Sequence, residues 1–244
     1  MKQVILKIIS NKKIAKDIYK LELFGDVSEI TTPGQFVNIK IEGLFLRRPI
    51  SVCDCNNNTL TLIYKVVGKG TEILSNMQEG ELDVLIGLGN GYDTSLSGEN
   101  PLLLGGGVGV PPLYMLAKTL INEGKKITVV LGFNTKDEVF YKNEFENLGA
   151  KVLVTTVDGS FEMKGFVTDA AKNLDYSYFY TCGPEPMLKA IYKNLKTEGQ
   201  FSFEERMGCG FGACMGCSCK TITGYKRICK EGPVLKKEEI LWED

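Results

Sequence analysis

The chain has 244 residues, 43% of them hydrophobic, a formal net charge of −1 and no histidine. That length suffices for two modest domains plus a small appendage, and the near-neutral charge leaves no electrostatic footprint for nucleic acid. The lack of histidine excludes a Ser-His-Asp hydrolase, a Rieske centre and a His-ligated haem, so demanding chemistry must fall to cofactors.

The opening run Met1-Lys-Gln-Val-Ile-Leu-Lys-Ile-Ile alternates charge with apolar residues, unlike the apolar core of roughly 7–15 residues in a signal peptide. No apolar stretch approaches the ~20 residues of a membrane span. The eight cysteines gather near the C-terminus, with Cys53, Cys55 and Cys182 scattered. That distribution suits a reducing compartment, and a cytoplasmic location is expected.

Residues 1–95 hold short β-type runs at Gln3–Ile9, Tyr19–Leu23, Gln35–Ile41, Pro49–Cys53, Thr59–Val67 and Glu81–Ile86. Their alternation, broken by turns such as Asn56-Asn57-Asn58, predicts an antiparallel barrel or sandwich. Thr71 to Met77 predicts one short helix with Thr71 as N-cap. Gly91 to Asn100 is polar and rich in turn residues, as a linker would be.

From 96 to 200 the pattern changes to strands alternating with helices. Strands are expected at Pro101–Leu104, Ile127–Gly132, Lys151–Thr156 and Tyr178–Thr181, and helices at Pro112–Glu123, Tyr141–Leu148, Val167–Asn173 and Pro186–Thr197. Apolar strands between amphipathic helices predict a parallel sheet covered on both faces. The first strand runs into Gly105-Gly106-Gly107-Val108-Gly109 and then Pro111-Pro112 at a helix start. Such a turn lets a pyrophosphate approach the backbone at a helix N-terminus. Val110 or Pro112 replaces the third glycine of the full fingerprint, so a plain strand–helix turn is the rival reading. A second turn, Cys182-Gly183-Pro184, also follows a strand and opens a helix. Two such turns on one carboxyl edge of a parallel sheet point to a nucleotide.

Residues 201–244 are too few to bury a core of their own. They carry Cys209, Cys214 and Cys217, then Cys229 after eleven intervening residues. This is the C-x4-C-x2-C…C spacing of a plant-type [2Fe–2S] centre. A four-cysteine zinc site is the alternative, but zinc ribbons favour paired C-x2-C steps. If the segment from Cys217 is extended, Cys219 lies on the same face as Cys217 and competes as a ligand. The spacing favours Cys209, Cys214, Cys217 and Cys229, with Cys219 as a small packing residue, like Cys53 and Cys55.

Taken together, these motifs resemble the ferredoxin–NAD(P) reductase superfamily: a flavin barrel, a Gly-Gly-x-Gly-x-x-Pro turn and a later Cys-Gly-Pro turn. The added cysteine loop is similar to that of the electron-transfer subunits of class 1B dihydroorotate dehydrogenases, and the similarity covers essentially the whole chain. The resemblance implies a multidomain fold: an FAD-binding antiparallel β-barrel over 1–95, an NAD-binding α/β domain over 96–200 and a [2Fe–2S] domain over 201–244. Arg47-Arg48-Pro49-Ile50-Ser51, Ile63-Tyr64-Lys65 and Gly68-Lys69-Gly70-Thr71 match the family's flavin segments. An arginine fork beside Ser51 suits the FAD pyrophosphate, and Gly70 with Thr71 supplies N–H groups and a hydroxyl for a second phosphate contact. Arg47 and Arg48 could instead be a solvated charged pair, and Tyr64 either packs in the core or lies along the cofactor. The resemblance places Cys182 where nicotinamide meets flavin.

The family's partner is an FMN-bearing subunit that oxidises dihydroorotate, with electrons passing from FMN through [2Fe–2S] and FAD to NAD+; two copies of each chain form a heterotetramer. Related subunits of ferredoxin:NADP reductase or sulfide dehydrogenase complexes, oxygenase reductases and a zinc-stabilised nucleotide-binding module remain as alternatives. Asp137 or Glu138, after the second strand, could hold ribose hydroxyls and repel a 2′-phosphate, favouring NADH over NADPH, while the adjoining Lys136 would act the opposite way. Phe211 and Met215, in the glycine-rich loop, are candidates for the dry centre of an interface with the partner, or for a simple cover over the cluster.

Overall fold

The computed structural model describes residues 1–242; the last two residues of the 201–244 segment lie outside the described residues. Six antiparallel strands open the chain: β1 (Lys2–Ala15), β2 (Ile18–Phe24), β3 (Phe36–Ile39), β4 (Arg48–Asn56), β5 (Thr59–Lys65) and β6 (Glu81–Leu88). They close into a barrel in the order β1-β2-β5-β4-β3-β6, which settles the choice between barrel and sandwich. In β6 the buried Leu82, Val84, Ile86 and Leu88 alternate with exposed or half-buried residues, the period of a strand with one face in a core. Leu6, Leu21, Leu23, Val37, Ile39, Val52, Leu60 and Leu62 fill the interior with no exposed surface. Each such side chain contributes about 1.5–3 kcal/mol by leaving water.

One helix, α1 (Lys69–Asn76), lies between β5 and β6. It begins earlier than expected, and Gly68, not Thr71, is its N-cap. Thr71 sits in the first turn, where its hydroxyl accepts from the N–H groups of Val67 (3.0 Å) and Gly68 (3.3 Å) and donates to Gly68 O (3.0 Å). The hydroxyl is therefore spent on closing the turn. Ligand contacts are left to the helix's first N–H groups, which have no intrahelical acceptor.

The second sheet has seven strands: β7 (Leu102–Gly106), β8 (Thr128–Phe133), β9 (Lys151–Thr156), β10 (Met163–Lys164), β11 (Phe179–Cys182), β12 (Gly199–Ser202) and, after the hairpin β13 (Ser218–Thr221) and β14 (Gly224–Arg227), β15 (Val234–Lys236). Their order is β10-β9-β8-β7-β11-β12-β15. All neighbours are parallel except β15, which runs antiparallel to β12. The expected all-parallel sheet thus gains an antiparallel edge from the cysteine-rich tail. Leu102, Leu103 and Leu104 are wholly buried, as a strand covered on both faces requires. The covering helices are α2 (Pro112–Asn122), α3 (Lys142–Asn147), α4 (Val167–Ala171) and α5 (Glu185–Asn194).

Three buried clusters join these units. Barrel residues Ile18, Cys53 and Ile63 pack with Leu113, Leu116 and Leu131, and Lys118 on α2 pairs with Asp54 on β4 at 3.1 Å. The barrel interior forms its own cluster. On the other face of the sheet, Phe179, Ile191 and Phe201 pack with Cys217, Ile228, Cys229 and Leu235 of the tail, and with Phe36 and Leu88 of the barrel. No helix among the described residues is long and apolar enough to cross a membrane.

Candidate functional site

Three candidate sites stand out on this framework. The first is a cleft of about 510 Å³ over the carboxyl ends of the parallel strands, lined by Gly106, Gly107, Gly109, Gly183 and Pro184 from the two glycine turns and by Lys65 from the barrel. The turns touch. A Cβ at Gly109 would lie 2.2 Å from the Cys182 carbonyl oxygen, so only a glycine lets the two backbones meet there. Gly105 and Cys182 are buried just behind this surface, and burial raises the Cys182 thiol well above its usual range. Cys182 is a packed, protonated thiol.

Sequence reasoning missed several cleft residues: Asn134, Thr155, Phe166, Met187 and Glu204. Asn134 and Thr155 stand at strand carboxyl ends, which was the available signal; Phe166, Met187 and Glu204 reach the cleft only through tertiary packing. Of the two acidic candidates, Glu138 lines the cleft and Asp137 does not. Glu138 accepts from the N–H of Asn134 (3.2 Å) and from its side-chain amide (3.0 Å), and lies 4.0 Å from Lys65 Nζ. Lys136 is exposed, its N–H donating to Ser160 at 2.8 Å.

The second site surrounds the start of β4 and of α1. Arg47 is a clamp: it pairs with Asp83 at 2.9 Å and donates to the Asn38 and Asp83 carbonyls. Arg48 is half-buried and lies against Gly70, where an added Cβ would come within 2.1 Å of Arg48 Nε. A guanidinium thus stands beside the first turn of a helix, a pair that suits a pyrophosphate. Pro49 is exposed, Ser51 half-buried, and Ile50 and Ile63 are buried. Tyr64 is 4% exposed; its ring stacks on Tyr19 and its hydroxyl donates to Asn11 at 3.0 Å. Burial pushes its phenol up to about 12. Of the two readings of Tyr64, core packing describes its side chain.

The third site is the cysteine loop. Cys209 Sγ accepts from the N–H groups of Ala213 (3.2 Å) and Cys214 (3.4 Å), and Cys214 Sγ from those of Cys209 and Gly216 (both 3.5 Å). Cys217 Sγ accepts from Cys229 N–H at 3.4 Å. Burial works against ionising Cys209, but backbone N–H groups of Phe211, Cys214 and Ala213 prevail and lower it to about 6. Burial pushes Cys229 up to about 12, with Cys217 and Cys209 adding to the shift. These backbone contacts group the thiols in two pairs, Cys209 with Cys214 and Cys217 with Cys229. Among the described residues no three His, Cys, Asp or Glu side chains close around one metal-sized point. Two pairs of thiols suit a two-iron cluster, with two ligands on each iron. Cys219 is half-buried on β13 and packs against the third core cluster. All eight cysteines are free.

A closed barrel with an arginine–helix cradle, a parallel sheet with a glycine-walled cleft, and a loop of paired thiols define an NAD-linked flavin and iron–sulfur oxidoreductase of the ferredoxin–NADP reductase fold. Residues 204–241 match the iron–sulfur cluster binding domain of dihydroorotate dehydrogenase B, and residues 103–193 the oxidoreductase NAD-binding domain. The chain is 48% identical to the dihydroorotate dehydrogenase B (NAD(+)) electron transfer subunit of Fusobacterium nucleatum, over 94% of this chain and 95% of that one. It is 47% identical to the subunit of the same name from a Geobacillus strain, over 99% of both. The solved NADH-dependent reduced ferredoxin-NADP oxidoreductase superposes with a TM-score of 0.87 and 34% identity, covering 97% of this chain and 90% of that one. A ferredoxin NADP+ reductase from Neisseria gonorrhoeae, solved with FAD and NADP, shares the fold with a TM-score of 0.69 and 16% identity, over 80% of this chain and 90% of that one. The chain belongs to the family of dihydroorotate dehydrogenase B electron transfer subunits, with FAD, NAD and a [2Fe–2S] cluster as its cofactors.

Proposed function

We propose that this chain carries electrons from an FMN-bearing catalytic partner, which oxidises dihydroorotate, to NAD+, within a cytoplasmic heterotetramer of two copies of each. FAD is assigned to residues 1–95, NAD to 96–200 and the cluster to 201–244. The observation that carries the reading is the pairing of four thiols in a loop packed against a barrel that also borders the nucleotide cleft.

FAD held by the barrel would collect electrons singly from an iron–sulfur centre and pass them as a pair, with a proton, to a nicotinamide. The chain's residues hold and orient. Arg48 and the first turn of α1 bind the FAD pyrophosphate, with Pro49, Ile50, Ser51, Ile63, Tyr64 and Lys65 shaping the adjoining barrel wall. Gly106, Gly107, Gly109, Gly183 and Pro184 let the nucleotide's pyrophosphate approach the backbone, with Gly105 and Cys182 packed beneath. Cys209, Cys214, Cys217 and Cys229 ligate the cluster. Glu138 faces the ribose and favours NADH.

Phe211 (43% exposed) and Met215 (53%) project from the loop, and we assign them to the partner interface. Replacing both with charged residues should abolish co-elution with the partner while leaving NADH oxidation by an artificial acceptor intact.

The test is an anaerobic reconstitution with the partner. Dihydroorotate should bleach the flavin and cluster absorbance, and NAD+ should restore it. The similarity to the ferredoxin-NADP oxidoreductase supplies the competing reading: reduction by ferredoxin and none by dihydroorotate with the partner would establish it instead.

A further inference from the structure

Besides the apolar packing of Phe36 and Leu88, a polar side chain of the barrel reaches the cysteine loop. Asn38, on β3, is 1% exposed, and its side-chain amide donates to the carbonyl oxygen of Cys209 at 3.2 Å. Its backbone stands opposite Pro49 in the β3–β4 register and accepts from Arg47 at 3.3 Å. The residue therefore reaches from the strand pair carrying the Arg48 cradle to a residue that ligates the cluster. Gly210, the next residue of the loop, has φ +78, and a Cβ there would lie 2.3 Å from the Asn38 amide nitrogen. A side chain at 210 would be strained and would push the loop off the barrel. Asn38 Oδ1 is buried with no hydrogen-bond partner, a costly arrangement in a strand whose inward neighbours are aliphatic.

A second amide ties the far end of the same segment. Asn90 donates to the Glu231 and Val234 carbonyls (3.1 and 2.7 Å) and accepts from Val234 N–H (3.1 Å), two to five residues past Cys229. Asn90 secures the strand that joins the sheet, whereas Asn38 alone of the two holds a ligand residue.

We infer that Asn38 is a positioning residue for the cluster: its amide fixes the Cys209 end of the ligand loop against the flavin strands and so sets how fast electrons cross between the two centres. This rests on the reading that the loop holds a [2Fe–2S] cluster. Each electron lost by reduced flavin is gained by the cluster, and NADH supplies the pair. The amide acts through the ligand's backbone, by restraining distance and by withdrawing electron density from the Cys209 carbonyl.

The test compares wild type with Asn38→Leu, which keeps volume without the donor, and Asn38→Ser, which shortens it and introduces no apolar branch. Anaerobic stopped-flow should show NADH reducing FAD within about twofold of wild type, and cluster reduction slowed at least tenfold in both variants. The cluster's visible circular dichroism should change, and the amides of residues 209–216 should exchange hydrogen faster than in wild type while barrel amides do not. If Leu prevents folding, the Ser variant decides. Cluster reduction within twofold of wild type, with an unchanged dichroism spectrum, would overturn the assignment. Wild-type protein without iron and acid-labile sulfide would instead overturn the cluster reading itself, and the role of Asn38 with it.

Discussion

The barrel and the cysteine-rich tail reach stability in opposite ways. The barrel closes on itself and buries its own aliphatic cluster. The tail has no separate core; Cys217, Ile228, Cys229 and Leu235 complete a cluster built mainly by the central sheet and by Phe36 and Leu88 of the barrel. Its hairpin, β13 with β14, forms a separate two-stranded sheet, and such a pair is marginal alone in water. A long, self-contained core tolerates local change, while a short segment held by thiols and borrowed packing depends on each tie.

Removing one of the proposed cluster ligands should break this comparison most sharply. Cys214→Ser should abolish iron binding and reduce electron exchange with the partner to background. FAD reduction by NADH should persist, because the proposed flavin cradle at Arg48 and Gly70 lies in the barrel segment. Metal analysis and single-turnover kinetics check this, and full dihydroorotate-to-NAD+ turnover in the variant would disprove the route.

The converse change lies inside the barrel. Leu62→Ala removes a side chain with no exposed surface and should cost about 2–5 kcal/mol, measured by denaturant unfolding. Iron content should be nearly normal in the folded fraction, in contrast to Cys214→Ser.

Two adjacent arginines sharpen the contrast on a smaller scale. Arg47→Ala breaks the partly buried pair with Asp83 and two carbonyl contacts, and should destabilise by about 1–3 kcal/mol. Arg48→Ala should change stability by under about 0.5 kcal/mol yet weaken FAD binding about tenfold or more. Flavin retention during dialysis, set beside melting curves, separates the two; equal effects on both readouts would refute the division of labour.

The smallest effect is expected in the cleft. Glu138→Gln removes the cleft carboxylate proposed to face the ribose and should reduce NADH-over-NADPH discrimination in kcat/KM by about tenfold. Unchanged discrimination would move the specificity elsewhere.

The sequence by itself determined the succession of antiparallel β segment, parallel sheet and cysteine-rich tail, the cysteine spacing and the two glycine turns that follow strands. These are local properties: strand alternation, helix period and cysteine intervals are set by neighbours a few residues apart. Tertiary structure decided what depends on distant partners. It closed the barrel, returned β15 antiparallel to β12, turned Tyr64 inward to Asn11 and spent Arg47 on Asp83. It moved the N-cap of α1 to Gly68 because the Thr71 hydroxyl closes the preceding turn. Asn38 shows the limit most clearly: a single polar residue in a strand carries no motif, and its meaning comes from a carbonyl 171 residues away along the chain.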